Sequence, residues 1–163
     1  MSKRFLLILV VTVIFALPAL PKNDGFNGKW MLDKNASTAS FDIPDNLMQQ
    51  IKAKGSTLDI LTTWREPANG IAPLGLLGVM TTNLKLNLKG QEDRNQIGPF
   101  NPVFKSTQNG NQIVTDYTAF SNGQQVTGHW TRSLSGDAKQ MTLEITQNTG
   151  AQNNQAKLVF QRK

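Results

Sequence analysis

The chain has 163 residues, a formal charge of +6 and no cysteine. That length suits a single domain with its own hydrophobic core, and the missing thiols exclude disulfides, thiol catalysis and cysteine-built zinc sites. Beyond Lys3 and Arg4 the basic residues form no cluster, which argues against a nucleic-acid-binding patch.

Residues 1–20 read MSKRFLLILVVTVIFALPAL. Lys3 and Arg4 precede an apolar run from Phe5 to Leu17 interrupted only by Thr12, and Pro18 and the small Ala19 follow it. This is the tripartite pattern of a secretory signal. The run is shorter than the about 20 apolar residues of a spanning helix. Cleavage after Ala16, after Ala19 or near Pro21 stays open, and a retained N-terminal anchor is the alternative. No cysteine follows, so a bacterial lipid anchor is excluded. Loss of Lys3 and Arg4 brings the charge of +6 down to +4. The expected organisation is a signal peptide over 1–20 and one domain over 21–163, exported to the periplasm or the medium.

The rest of the chain carries mostly period-two hydrophobicity. Trp30 and Leu32 alternate with Lys29, Met31 and Asp33 in a first strand, and the small polar stretch Asn35 to Ser40 reads as a turn. Asp45 to Ala53 fits two patterns. One is a helix opened by Pro44–Asp45 with Leu47, Met48 and Ile51 on one face; the other is a strand with Leu47, Gln49, Ile51 and Ala53 on one side. Thr57 to Arg65 is a strand with Leu58, Ile60, Thr62 and Trp64 facing one way. Ile71 to Met80 (IAPLGLLGVM) is apolar but broken by Pro73, Gly75 and Gly78, so it is a loop that something must cover. Leu84, Leu86 and Leu88 point inward from the next strand, and Gly90 to Arg94 reads as a charged turn.

Short strands at regular spacing then follow. Pro102 to Ser106 is brief. Asn109–Gly110 and Asn122–Gly123 are hairpin signals. Between and after them come faces of Ile113, Thr115 and Tyr117, then Val126, Gly128, Trp130 and Arg132, then Met141, Leu143 and Ile145, before a last strand over Ala156 to Arg162. The reading is all-β: an up-and-down antiparallel barrel of about 8–10 strands, because closing the sheet on itself buries the apolar face and removes the edges.

Three motifs carry a resemblance. Gly28–Lys29–Trp30 is a Gly-x-Trp on the first strand, and the last strand offers Arg162 on the same face as Leu158 and Phe160. With GKWMLDKNAS, NGNQIV, RSLSGDAKQMTLEIT and LVFQRK in order, residues 26–163 resemble the small secreted lipocalin-like (calycin-type) proteins of environmental bacteria, which are mostly uncharacterised. The segment WMLDKNASTASF is also similar to the first strand of the YceI-like family of isoprenoid-binding barrels, whose pattern the rest of the chain does not follow. The lipocalin resemblance implies a structural role for Gly28, Trp30 and Arg162, with the arginine packed over the tryptophan at the barrel base. It also favours the strand over the helix at 46–53.

Candidate ligand-lining residues are Trp30, Trp64, Leu84, Leu86, Tyr117, Trp130 and Arg132. An inward Arg132 is a buried charge that needs a ligand carboxylate, an internal acid or solvent at the barrel mouth. Catalytic chemistry has little to stand on. There is one histidine, His129, on the face opposite Trp130, and no nucleophile elbow, metalloprotease motif or P-loop. Asp59, Glu66, Asp116 and Glu144 lie on different strands, two of them alternating with apolar residues. The expectation is a non-catalytic exported barrel, without cofactor, metal or nucleic acid, that binds a small hydrophobic or amphipathic ligand. The alternative is an envelope module that contacts a protein or membrane through the apolar loop 71–80, with Gly98 to Phe104 as a second loop at the mouth. Ligand identity, oligomeric state and hollowness of the barrel are not written in the sequence.

Overall fold

The computed structural model describes residues 23–64, 83–97, 101–121 and 123–163. The signal segment, Glu66, the apolar loop 71–80 and residues 98–100 of the second loop lie outside them. A short 3₁₀ turn, Asn23–Phe26, leads into ten strands: β1 (Gly28–Ala39), β2 (Met48–Lys54), β3 (Thr57–Thr63), β4 (Leu84–Asn87), β5 (Lys89–Arg94), β6 (Val103–Asn109), β7 (Gln112–Ser121), β8 (Gln124–Leu134), β9 (Gln140–Asn148) and β10 (Asn153–Arg162).

They form one antiparallel sheet in the order β4-β3-β2-β1-β10-β9-β8-β7-β6-β5. Every sequential neighbour pairs except β4 and β5, and the first strand pairs with the last. This is the expected up-and-down barrel. The two sheet edges meet at β4 and β5, where side chains take the place of a ladder. The Asn95 amide accepts from the Lys85 N–H and donates to the Lys85 carbonyl, both at 2.9 Å. The Asp93 carboxylate accepts from the Asn87 N–H. An amide side chain carries the same donor and acceptor as a peptide unit, so it satisfies an edge that water would otherwise have to solvate.

The two-residue period sorts the side chains. On β3 and β4, Leu58, Ile60, Thr62, Leu84 and Leu86 are buried while Asp59, Leu61 and Lys85 are exposed. On β7, β8 and β9 the inward set is Ile113, Thr115, Tyr117, Val126, Trp130, Arg132, Met141, Leu143 and Ile145. Each large apolar side chain removed from water contributes about 1.5–3 kcal/mol, so this alternation is the main stabilising term.

Within 45–53 the chain turns at Asp45–Asn46 and then forms strand β2 from Met48, with Leu47, Gln49 and Ile51 buried and Met48 and Gln50 half-buried. Two turn readings are corrected. Asn35 to Ser40 is no turn: β1 runs on to Ala39, with its pairing to β10 shifted between Asp33 and Thr38. The Ser37 hydroxyl donates to the Asp33 carbonyl and accepts the Val159 N–H, filling the gap in the ladder. Small polar residues signal chain reversal and bulge alike, and here they make a bulge. Gly90 to Arg94 likewise belongs to edge strand β5, paired with β6 through Glu92↔Lys105 and Arg94↔Val103. Charge on both faces is what an edge strand carries to deter further pairing.

Candidate ligand-binding interior

The base of the barrel is closed by three residues in contact. Arg162 lies over the Trp30 ring, 4.3 Å from its centre. Its Nε donates to the Ala138 carbonyl at 2.7 Å, and its two terminal nitrogens donate to the carbonyls of Asn27 and Gly25. The Trp30 indole N–H donates to the Phe26 carbonyl at 2.9 Å. The guanidinium passes so close to Gly28 that a Cβ there would sit 2.9 Å from Arg162 Nη1, and Gly28 also holds a φ of 142°. Both facts require glycine. Thus the 3₁₀ turn, β1 and β10 are tied together by one cation, each of whose three nitrogens donates to a backbone carbonyl.

The interior above this plug is lined differently on its two sides. Leu58, Ile60, Leu84 and Leu86 make β3 and β4 an aliphatic wall. Trp64, just past the end of β3, is half-buried and packs against the core. The opposite wall, β6 to β9, holds the aromatic cluster Phe104–Tyr117–Trp130, with ring centres 4.7–5.8 Å apart. Within it stand several polar groups. Ser106 and Thr115 satisfy each other at 2.9 Å. Arg132 does not share this fate. It is fully buried, and none of its three guanidinium nitrogens has a hydrogen-bond partner among the described residues. Its only electrostatic neighbour there is the Trp130 ring, 5.7 Å away.

Burial lowers the Arg132 pKa from its ordinary value to about 10, so the group stays a cation at neutral pH. The Trp130 indole N–H, the Tyr117 hydroxyl and the Gln147 Nε2 are also buried without partners. Burial pushes the Tyr117 pKa well upward; the nearby Gln147 amide opposes the shift but lies outside satisfactory hydrogen-bond geometry. On the β2–β3 side Gln49 donates weakly to Thr62 at 3.4 Å and leaves its carbonyl oxygen unpartnered.

Of the residues singled out in the sequence, Tyr117, Trp130 and Arg132 come together on one wall, Leu84 and Leu86 face them from the other, and Trp30 belongs to the base with Gly28 and Arg162. Gln147 is not singled out by the sequence at all, and Gln49 and Phe104, placed on a strand face and in a loop, are not among its candidate lining residues. Gln147 follows Met141, Leu143 and Ile145 in strict alternation, and that register was the available signal. The carboxylates Asp59, Asp116 and Glu144 are exposed. On the outside Asp116 Oδ1 and His129 Nδ1 sit 2.7 Å apart, each at least half exposed. Among the described residues no three histidine or carboxylate side chains converge as metal ligands would.

No protein-family model matches the sequence, and no curated protein resembles it. Solved structures do. Apo lipid binding protein 8 of Caenorhabditis elegans superposes with a TM-score of 0.59 at 11% identity, over 89% of this chain and 100% of that one. A secretory abundant heat soluble protein of Ramazzottius varieornatus gives 0.55 at 10% identity, over 85% and 96%. Zebrafish ileal bile acid-binding protein, complexed with cholic acid, gives 0.50 at 15% identity, over 85% and 99%. At such identities the likeness concerns the fold alone: this chain shares with those proteins an all-β, nearly closed antiparallel barrel of ten strands.

Proposed function

We propose that the protein is an exported, non-catalytic carrier of a small amphipathic molecule with an anionic head, a long-chain carboxylate being the simplest example. The observation that carries this reading is the Arg132 guanidinium, buried in full with no partner among the described residues. An isolated buried cation is among the costliest groups a fold can hold, and a carboxylate that accepts its paired N–H donors offsets that cost. Arg132 stands one inward position from Leu134, whose Cδ1 lies 3.0 Å from where a Cβ on Gly25 at the base would sit. The head would therefore go in first, and the tail would run along Trp130 and the aromatic cluster towards the other end. The aliphatic wall of β3 and β4 supplies what an alkyl chain needs opposite. A lipid binding protein and a bile acid-binding protein among the similar barrels agree with this use of the fold. Export rests on the pattern of residues 1–20, and N-terminal sequencing of protein recovered from the periplasm or medium of its host checks it.

The binding test uses full-length chain, stripped of lipid and titrated calorimetrically with hexadecanoate and hexadecanol. Arg132→Met should weaken hexadecanoate about a hundredfold, in line with the roughly 2–5 kcal/mol lost when one partner of a buried charge pair is removed, and leave hexadecanol unchanged. Wild-type chain that takes up neither molecule, or an Arg132→Met variant that keeps full affinity for the acid, sinks the proposal.

A further inference from the structure

The interior groups without a partner among the described residues are not spread evenly, and they are nearly all donors. Resting on the carrier reading above, we infer that the ligand bears a second, uncharged oxygen function, a hydroxyl or a carbonyl in mid-chain, held by the Tyr117 hydroxyl and the Gln147 amide.

Arg132 and Gly128 both face inward on β8, four residues apart, which spans about 13 Å of strand. Gly128 pairs with Tyr117 on β7 and with Gln147 on β9. The Tyr117 ring lies across the glycine, and a Cβ built there would meet its Cε1 at 1.9 Å and its hydroxyl at 2.6 Å. The missing side chain is therefore what lets the phenol lie flat over β8 with its hydroxyl at the level of Gln147. The Gln147 carbonyl is already engaged, accepting from Asn154 Nδ2 at 3.2 Å. The atom left over is Nε2, a donor. Tyr117 and Gln147 do not satisfy each other, although they are neighbours.

This second polar station differs in kind from the first. It carries no charge, so it does not select an anion. A hydroxyl can accept from Gln147 Nε2 and donate to the Tyr117 oxygen; a carbonyl can accept from both. The stretch between the stations is aromatic, with Trp130 between Arg132 and Gly128 on the same strand. A ligand with an acid at one end and an oxygen in mid-chain matches this order of anion site, apolar span and neutral polar site: Arg132 lies 5.7 Å from the Trp130 ring centre, which is 4.7 Å from that of Tyr117. A plain alkyl acid instead leaves a buried hydroxyl and a buried amide N–H facing methylenes, which is unfavourable.

The experiment compares three acids on delipidated full-length chain: hexadecanoate, a mid-chain hydroxyhexadecanoate and α-hydroxyhexadecanoate, whose hydroxyl lies beside the head. The mid-chain hydroxy acid should bind about tenfold tighter than hexadecanoate, since sites built to bond a hydroxyl discriminate against analogues that lack it. The α-hydroxy acid should show no such gain. Within each variant, Tyr117→Phe and Gln147→Met should reduce the ratio of the two affinities, mid-chain hydroxy acid over hexadecanoate, to within about twofold, a ratio that a general loss of packing would not change; the second variant roughly keeps the side-chain volume. Equal affinity of wild type for hexadecanoate and the mid-chain hydroxy acid overturns the inference while the carrier stands, as does a preference that survives both variants. Failure of all three acids to bind overturns the carrier reading and this inference with it.

Discussion

Arg162 and Arg132 each lie against a tryptophan, 4.3 and 5.7 Å from the ring centre, and the two pairs are opposites. Every guanidinium nitrogen of Arg162 donates to a backbone carbonyl, and the Trp30 N–H does the same. In the other pair, three guanidinium nitrogens and the Trp130 N–H have no partner among the described residues. The same two residue types thus serve as a fastener in one place and as an open site in the other. A satisfied cation stabilises the fold that surrounds it. An unsatisfied one destabilises its fold and persists only where something else is meant to complete it. Chemistry and ring contact do not distinguish the two cases; the count of accepting oxygens does.

The largest expected effect is at the base. Arg162→Met removes three charge-assisted hydrogen bonds, leaves the carbonyls of Gly25, Asn27 and Ala138 short of donors, and frees the 3₁₀ turn from β10. Such bonds contribute about 1.5–3 kcal/mol each with incomplete additivity, so urea unfolding should show a loss of about 4 kcal/mol. Arg132→Met should do the reverse and stabilise the ligand-free protein. A guanidinium whose pKa falls from its ordinary value to about 10 in the fold carries a penalty on the order of 3 kcal/mol, at about 1.4 kcal/mol per pH unit. A variant that unfolds more easily than wild type would erase the contrast between the two arginines.

Alkaline titration sharpens the same point. The folded Arg132 pKa lies below the unfolded one, so the folded state bears the full penalty below about pH 10. That penalty disappears as the pH climbs from about 10 towards the ordinary arginine value. Tyr117 acts in the opposite sense. Its pKa is raised by burial, so unfolding releases a proton the fold retains, and stability falls as the pH passes the ordinary tyrosine value. The two contributions oppose each other in wild type. The difference between wild type and Arg132→Met isolates the arginine, and the advantage of the variant should shrink steadily above pH 10. An advantage that stays constant to pH 12 would mean that Arg132 is solvated.

Much of this architecture was legible because period-two hydrophobicity needs no long-range information. Leu58 to Thr62, Leu84 to Leu86 and Met141 to Ile145 declare their inner faces unaided, and Arg132 shares a register with Trp130 whatever the barrel does. The Asn35 to Ser40 bulge and the charged edge strand β5 were misread for one reason: small or charged residues mark a departure from regular pairing without saying whether the chain turns back. At the candidate site, sequence reached the identity of Arg132 but not its isolation, which depends on what the facing strands fail to offer. Gln147 fell between, inward by register yet indistinguishable from the polar end of a strand.

The smallest effect separates the pairs most cleanly. Trp30→Phe and Trp130→Phe each delete an indole N–H and keep an aromatic ring. At Trp30 the change orphans the Phe26 carbonyl, whose hydrogen bond is buried, and should cost about 1–2 kcal/mol from that term. At Trp130 it removes a donor that has nothing to bond among the described residues, so the loss of ring contact is offset by the loss of an unsatisfied group and the net change should stay within about 0.5–1 kcal/mol. Measured by chemical unfolding of the ligand-free chain, Trp30→Phe should be the less stable of the two. A Trp130→Phe variant that loses as much stability would show that its N–H is satisfied in solution, and the division into a closed pair and an open pair would fail at its most sensitive position.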